Sequence, residues 1–277
     1  EQHKVTEFLF ADGGVNGVSG LDESKNSFTL KAPLVIDAGG RNAISLRKMG
    51  SKNKPTGNIK IAMAAHWQGA QIADDYCYMH VSHPGYTGIS SVGRDRSNVV
   101  LVVNRQMMNG EKPDKFYLDA LMRNGHRRKI LQGAECIESV RTIESLAFTV
   151  KPVTCGGLLL VGDAMGFIDP FTGEGIYLSL RSSEIAVEVA DKAFKKSDWS
   201  NDILMDYEMR RKQEFDKKFL LSRIFQKLIY NRFFCDRLVR ALRRKPELAE
   251  TLVGVIGDLS PAQRAVSLKF LLRLLSA

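Results

Sequence analysis

One segment in the second half of the chain has the residue types that a bound nucleotide requires. The apolar run 158–161 predicts a short strand, and Gly162 and Asp163 follow it directly. The residues of the next turn and of the helix start after it are Pro170, Gly173, Glu174, Gly175 and Ile176. Glycines let a ligand approach the backbone, a helix start offers unpaired N–H groups, and a carboxylate accepts hydrogen bonds from hydroxyls. We therefore expect a nucleotide-cofactor site here.

A second segment upstream has a related layout. The apolar run 34–36 predicts a buried strand, which ends at Asp37 and is followed by a glycine turn, Gly39-Gly40, and then by Arg41. Backbone donors and a guanidinium both favour anions, so this turn is suited to a phosphate.

The two segments together resemble flavoproteins related to para-hydroxybenzoate hydroxylase, and in particular the branch that holds geranylgeranyl reductases and flavin-dependent halogenases. The downstream segment is similar to the family's second FAD-contact motif, a GD pair followed by DP-x-x-GEGI. Its positions here are Gly162, Asp163, Asp169, Pro170, Gly173, Glu174, Gly175 and Ile176. The upstream segment is similar to the family's D-A-S-G-R motif.

The resemblance implies a role for each segment. Asp163 would bind the ribityl chain of FAD, and the GEGI turn with its helix start would lie beside the flavin pyrimidine. Asp37, Gly40 and Arg41 would lie near the FAD diphosphate. The chain departs from the family pattern at Gly39, where Ser or Asp is usual, so a side-chain contact from that position is not expected.

The family's dinucleotide fingerprint, G-x-G-x-x-G after an N-terminal strand, does not occur in the sequence. The glycines of 13–20 have a different spacing and read as a hairpin. Our expectation is that the chain is a fragment lacking an N-terminal βαβ unit for the ADP half of FAD. It should then bind FAD weakly by itself.

Composition narrows the class of protein and its partners. No run of about 18 apolar residues predicts a transmembrane helix, and the four cysteines are scattered without metal-ligand or disulfide spacing. We expect a cytoplasmic protein and no metal site, since His80 and His83 precede a Pro-Gly turn without acidic partners.

The net charge of +9 is concentrated on amphipathic helical patterns near 210–218 and 237–245. These predict solvated faces, with peripheral membrane contact as an alternative and no nucleic-acid binding.

The order of the patterns predicts an α/β fold with α+β character. Residues 1–57 and 151–200 would form the remainder of a Rossmann-like FAD domain. Residues 58–150, rich in short strand-like runs around one helical insert, would form an antiparallel substrate domain, and residues 201–277 a helical C-terminal region.

The predicted function is that of an FAD-dependent reductase acting on a prenyl, lipid or other small hydrophobic substrate, with NADPH or another reductant as electron donor. A flavin monooxygenase or halogenase-like enzyme is the alternative. The halogenase W-x-W-x-I-P motif has no counterpart around Tyr86, Gly88 and Ile89, which disfavours halogenation. No residue stands out as a catalytic acid or base. A third hypothesis, which is not an enzyme, is an inactive remnant that binds a membrane or protein partner.

Overall fold

The computed structural model describes residues 1–53, 59–73, 75–144, 146–153, 155–167, 170–257 and 259–275. The strands are β1 (Lys4–Ala11), β2 (Gly14–Leu21), β3 (Ser27–Lys31), β4 (Val35–Asp37), β5 (Lys60–Gln68), β6 (Cys77–Ser82), β7 (Gly85–Gly93), β8 (Arg96–Asn104), β9 (Glu135–Cys136), β10 (Arg141–Glu144), β11 (Phe148–Thr149), β12 (Leu158–Leu160) and β13 (Gly166–Phe167). The helices are α1 (Ile44–Lys48), α2 (Pro113–Arg123), α3 (Gly125–Ile130), α4 (Gly175–Lys196), α5 (Asn201–Ile229), α6 (Arg232–Arg244), α7 (Pro246–Ile256), α8 (Gln263–Val266) and α9 (Leu268–Leu275).

The chain divides into two compact units. The first unit comprises residues 1–54 and 148–277, and the second comprises residues 55–147. The helices of the C-terminal region therefore belong to the first unit. Whether the units correspond to a FAD domain and a substrate domain stays a proposal.

The first unit is built around a two-stranded parallel sheet of β4 and β12, with an antiparallel sheet of order β1-β2-β3 beside it. Leu158 and Leu160 on β12 pack in a core with Phe8 and Val15 of the antiparallel sheet. Leu159, on the opposite face, packs against residues of α4 and α5. Because both faces of β12 are covered, all three of its leucines are buried, as an uninterrupted apolar strand predicts.

The C-terminal helices form a core of their own within the first unit. Phe225 on α5 packs with Leu238 on α6, Leu248 on α7 and Phe270 on α9. The final apolar segment thus finds a partner surface in the protein itself. Among the described residues, no helix has both the length and the apolar character needed to cross a membrane.

The second unit is an antiparallel sheet of order β10-β5-β8-β7-β6, with β9 paired to β5. One face, with Met63 and Leu101 at its centre, is covered by α2 and forms the core. Trp67 lies on this face, where its indole donates a hydrogen bond of 3.0 Å to the hydroxyl of Tyr117. Trp67 is therefore a core residue, and Tyr86 on β7 is also buried.

Several local expectations were wrong. The strand at 34–36 is not buried throughout, because Ile36 is 45% exposed. The sequence did not predict strand β7, because its residues, GYTGISSVG, are rich in Gly and Ser. The single helical insert is two helices, because the Asn124 side chain accepts from the N–H groups of His126 and Arg127 and starts a new helix.

Two further expectations concern chain connections. The sequence Ser260-Pro261-Ala262-Gln263 has the spacing of a capping box and predicts a helix start, but Ser260 does not cap a helix. Helix α8 begins at Gln263 without a side-chain cap, and the Ser260 N–H donates to the Gly254 carbonyl at 2.9 Å. The sequence 51–55, Ser-Lys-Asn-Lys-Pro, predicts a linker, but Lys52 within it forms an antiparallel bridge with Val150. Lys54 and Pro55 lie outside the described residues.

Candidate functional site

The parallel pairing of β4 and β12 brings the two glycine segments together. Leu160 is in register with Asp37, and the Val161 N–H donates to the Asp37 carbonyl at 3.2 Å. Each strand runs directly into a short 3-10 turn, Gly40–Asn42 after β4 and Gly162–Met165 after β12, and the two turns contact one another. Both segments therefore lie at the carboxyl edge of one sheet, which is where open α/β sheets bind ligands.

The carboxylate of Asp37 organises the first turn. Asp37 is buried, and its oxygens accept hydrogen bonds from the N–H of Gly39 at 3.0 Å and of Ser45 at 2.9 Å. The second bond satisfies an N–H in the first turn of α1, where a negative charge is also favourable. Asp37 thus supports the turn from inside.

The turn itself leaves its backbone open. Gly40 has φ +62°, and a Cβ placed there would meet nothing within 4 Å. At Gly39, by contrast, a Cβ would lie 2.9 Å from both the Ala43 Cα and an oxygen of Asp37. This crowding explains why the chain has glycine where the family usually has Ser or Asp.

Arg41 places positive charge near Asp163 of the second turn, and Lys52 lies near Arg41. Burial raises the pKa of Asp163, and the positive charge of Arg41 only partly offsets this effect. Burial and, to a lesser degree, Arg41 lower the pKa of Lys52. The Lys52 ammonium lies 4.2 Å from the centre of the Phe148 ring, a cation–π contact. Sequence reasoning found Arg41 but missed Lys52, which comes near it only through the bridge to Val150.

The GD turn is fixed by serines of α4. Gly162 has φ +58°, and a Cβ there would lie 2.9 Å from the Ser179 hydroxyl oxygen. The Gly162 N–H donates to the hydroxyl of the fully buried Ser182 at 2.9 Å. The small residues of α4 therefore do more than allow close packing, because one of them holds the turn.

We predict that Ser182→Ala destabilises the fold by about 1–3 kcal/mol, since it leaves the buried Gly162 N–H without an acceptor. Ser183→Ala is the matched control, because the Ser183 hydroxyl bonds only to the Ser179 carbonyl of its own helix. Denaturant unfolding would measure both. Equal effects of the two substitutions would contradict the anchoring role of Ser182.

Asp163 presents an acceptor group without a donor. Its side chain is partly buried, and no described residue donates a hydrogen bond to its carboxylate. Burial raises the pKa of this carboxyl, and the nearby Arg41 only partly offsets the effect. A partly buried carboxylate that receives no hydrogen bond from the described residues is suited to accept hydrogen bonds from a ligand.

Asp163→Asn should therefore stabilise the protein at neutral pH when no ligand is added. The pKa of this carboxyl is higher in the folded than in the unfolded state, so ionisation disfavours folding. The disadvantage disappears as the pH falls through the folded pKa to below the unfolded value of about 3.9. The stability gap between variant and wild type should shrink from about pH 7 to about pH 4 in denaturant unfolding. A gap that does not change with pH would contradict this account.

The start of α4 has an accessible backbone next to one buried side chain. Pro170 begins a 3-10 turn that ends at Thr172, while Asp169 lies outside the described residues. Gly173 has φ +73°, and neither it nor Gly175 has an atom within 4 Å of where a Cβ would lie. Ile176 is 77% exposed. The backbone here is accessible to a ligand.

The Glu174 side chain is buried in the protein rather than exposed with the neighbouring backbone. It is 3% exposed, one oxygen lies 4.0 Å from the buried Lys218 ammonium of α5, and the other has no hydrogen-bond partner. Burial raises the pKa of Glu174 and lowers that of Lys218. The Lys218 ammonium also lies 4.3 Å from the centre of the Tyr177 ring. Glu174 therefore ties the turn to α5, and its backbone rather than its side chain faces the open site.

Sequence reasoning missed Lys218, although a signal was present. The buried positions of α5 recur at helical spacing and include Arg211, Phe215, Lys218, Ser222 and Phe225. A lysine within the buried stripe of a long helix predicts a buried anionic partner. That partner is Glu174.

The comparisons with known proteins place the chain in a family. Residues 1–213 match the FAD binding domain family. The chain belongs to this family. Its predicted cofactor, FAD, and the predicted flavoprotein resemblance are thereby confirmed, whereas the individual contacts of the residues above stay predictions.

Two sequence relatives are digeranylgeranylglycerophospholipid reductases. The protein from Methanocaldococcus jannaschii is 31% identical over 220 residues, which covers 76% of this chain and 54% of the relative. The second protein of this name from Methanococcoides burtonii is 27% identical over 211 residues, covering 74% of this chain and 50% of the relative. The chain thus spans about half the length of the curated relatives it matches.

Solved structures share the fold. A geranylgeranyl bacteriochlorophyll reductase-like protein from Thermoplasma acidophilum superposes with a TM-score of 0.72 at 22% identity, covering 99% of this chain and 66% of that one. The flavin-dependent brominase Bmp2 gives 0.80 at 16% identity, covering 93% and 65%. These likenesses confirm the predicted α/β fold class with α+β character.

Proposed function

We propose that this flavoprotein is an FAD-dependent oxidoreductase that reduces a prenyl chain of a lipid. The observation that supports the proposal most directly is the carboxylate of Asp163, which receives no hydrogen bond from the described residues. It lies at the carboxyl end of β12, beside the open glycine turn that follows β4. The relatives named as prenyl-lipid reductases supply the class of substrate.

The residues present fit FAD. Asp163 would accept hydrogen bonds from the ribityl hydroxyls, and the open backbone at Gly40 together with Arg41 would hold the diphosphate. The accessible N–H groups at the start of α4, at Gly175 and Ile176, would lie beside the pyrimidine. Asp37, Ser182 and Lys218 would fix these groups in place without contacting the cofactor.

FAD supplies the redox chemistry, which is the transfer of a hydride between an electron donor and the substrate. The chain supplies the electrostatics. The first N–H groups of α4 carry no side-chain cap, and their partial positive charge favours negative charge that develops at the pyrimidine. This arrangement supports reduction and oxygen chemistry alike, so the substrate class depends on the relatives.

The test is a turnover assay with the purified holoprotein. A glycerophospholipid with unsaturated prenyl chains is incubated under anaerobic conditions with NADPH or, separately, with dithionite. We expect mass spectrometry to show two added hydrogens per reduced double bond, and the flavin absorption to recover as substrate is consumed. A reduced flavin that is reoxidised by oxygen but never by the lipid would contradict the reductase assignment.

The same assay separates the alternatives. The likeness to Bmp2 keeps a halogenase or monooxygenase as a second candidate, and aerobic incubation with bromide and a phenol would reveal it through a brominated or hydroxylated product. A chain that acts only as a binding remnant would retain no flavin. Membrane contact through the basic faces of α5 and α6 also stays a proposal, which sedimentation with anionic vesicles at low and high salt would test.

A further inference from the structure

A groove in the second unit has the composition of a binding site that the FAD assignment leaves unused. It encloses about 640 Å³ at the end of the sheet where the β7–β8 hairpin turns. Its lining comprises His66, Val92, Gly93, Arg94, Arg96, Ile137 and Glu138. We call it the hairpin groove.

Two arginines of the hairpin groove have no partner within the described residues. Arg94 and Arg96 are exposed, and neither forms an ion pair or a side-chain hydrogen bond there. Arg94 and its neighbour Asp95 also have φ values of +52° and +57°. Hairpin turns with this backbone favour Gly and Asn, so the conformation of the turn does not explain an arginine at this position.

The carboxylate of Glu138 in the hairpin groove already has partners within the protein. One oxygen of Glu138 lies 2.7 Å from His66 Nδ1 and accepts from the His66 N–H at 3.1 Å, while the other lies 3.4 Å from the Arg141 guanidinium. Burial opposes ionisation, yet the bonds to His66 prevail and lower the pKa of Glu138. The exposed Asp95 is the other acid at this turn. Among the described residues that line the hairpin groove, Arg94 and Arg96 therefore offer guanidinium donors without a protein partner.

Apolar surface adjoins these donors. Val92 is 52% exposed and Ile137 is 37% exposed, and both line the groove. A ligand that fits would carry an oxyanion on one side and a hydrocarbon on the other. Guanidinium groups bind phosphate oxygens through paired N–H bonds, which makes arginine the preferred side chain for such an anion.

We propose that the hairpin groove binds the phosphate group of a phosphate ester. The ester is either a phospholipid headgroup at a membrane surface or a free phosphate ester, and the lipid source rests on the proposed function. The groove would then bind a phosphate group, a role separate from that of the flavin-site residues.

The test compares two double variants of the purified protein. Arg94→Gln/Arg96→Gln removes both guanidiniums of the groove. Arg123→Gln/Arg128→Gln removes two exposed arginines of α2 and α3 in the same unit, which also have no partner among the described residues. The net charge changes equally in both. All four side chains are exposed, so the fold should survive, and thermal unfolding would verify this.

Two probes distinguish the sources of phosphate. Glycerol phosphate binding is followed by calorimetry, and sedimentation compares phosphatidylglycerol-containing vesicles with neutral phosphatidylcholine vesicles. We expect at least tenfold weaker binding of one or both phosphate probes by Arg94→Gln/Arg96→Gln, and less than a twofold change in the control. Loss for glycerol phosphate assigns the groove to a free ester, and loss for the vesicles alone assigns it to a membrane headgroup.

The proposal is overturned if both double variants lose binding equally, if neither does, or if the wild type binds neither phosphate probe. The proposed function fails independently, because its failure would be seen as missing flavin or missing turnover in the wild type. Phosphate binding that depends on Arg94 and Arg96 would still be measurable in that case.

Discussion

Replacing Asp163 by alanine should weaken FAD binding by about 10- to 100-fold while the fold survives. Each hydrogen bond to a charged group contributes about 1.5–3 kcal/mol, and about 1.4 kcal/mol corresponds to a factor of ten in affinity. The carboxylate has no partner among the described residues, so its loss leaves no group of the protein unsatisfied. The flavin-to-protein absorbance ratio of the purified holoprotein, followed by FAD titration after stripping, would measure the effect.

The control for this substitution is Asp216→Ala. Asp216 is an exposed carboxylate on α5 in the same unit, without a partner among the described residues. It should retain normal flavin occupancy. If Asp163→Ala also retains normal occupancy, Asp163 does not contact the cofactor and the assignment of the GD turn is wrong.

The largest effect on stability is expected from Gly157→Ala. Gly157 has φ +72°, and a Cβ there would overlap the Val15 carbonyl oxygen and lie 3.2 Å from that of Pro33. Its N–H donates to the Trp199 carbonyl at 2.9 Å, and its carbonyl accepts from the Val35 N–H at 2.8 Å. Left-handed backbone costs about 1–2 kcal/mol, and forcing a methyl into a filled space about 1–3 kcal/mol more. We expect a loss of about 2–5 kcal/mol.

Gly13→Ala is the matched control for Gly157→Ala. Gly13 has φ +77°, but a Cβ there would meet nothing within 4 Å, so only the backbone cost applies. Denaturant unfolding should therefore give a loss of about 1–2 kcal/mol for Gly13→Ala. Similar losses for the two variants would mean that the structure adjusts around Gly157, and the proposed close packing of β2 against the start of β12 would be wrong.

Gly157 and Asp163 lie at opposite ends of strand β12. Gly157 precedes β12, and its hydrogen bond with Val35 fixes where β12 begins relative to β4. Asp163 follows β12, at the edge of the sheet where both strands end. Gly157→Ala should lower flavin occupancy only as far as it unfolds the protein, whereas Asp163→Ala should lower it in a folded protein. Measuring occupancy and unfolding in both variants would separate positioning from contact.

The sequence by itself determined the local chemistry. The run 158–161 and the glycines after it are sufficient to predict strand, turn and helix start, because these depend on residues close together in the chain. Each glycine motif was likewise recognisable from the sequence, and the match of residues 1–213 to the FAD binding domain family agrees with this interpretation. The start of α7 at Pro246 was predictable for the same reason, since proline suits the first turn of a helix.

Only the tertiary structure decided which groups face the site. Asp37 and Glu174 were predicted alongside Asp163, but the structure gives the first two buried supporting positions, through the N–H groups of Gly39 and Ser45 and through Lys218. Lys52 and the hairpin groove were not foreseen. Their partners come from distant parts of the chain, and a side chain's burial and neighbours depend on how strands and helices pack, which local patterns do not encode.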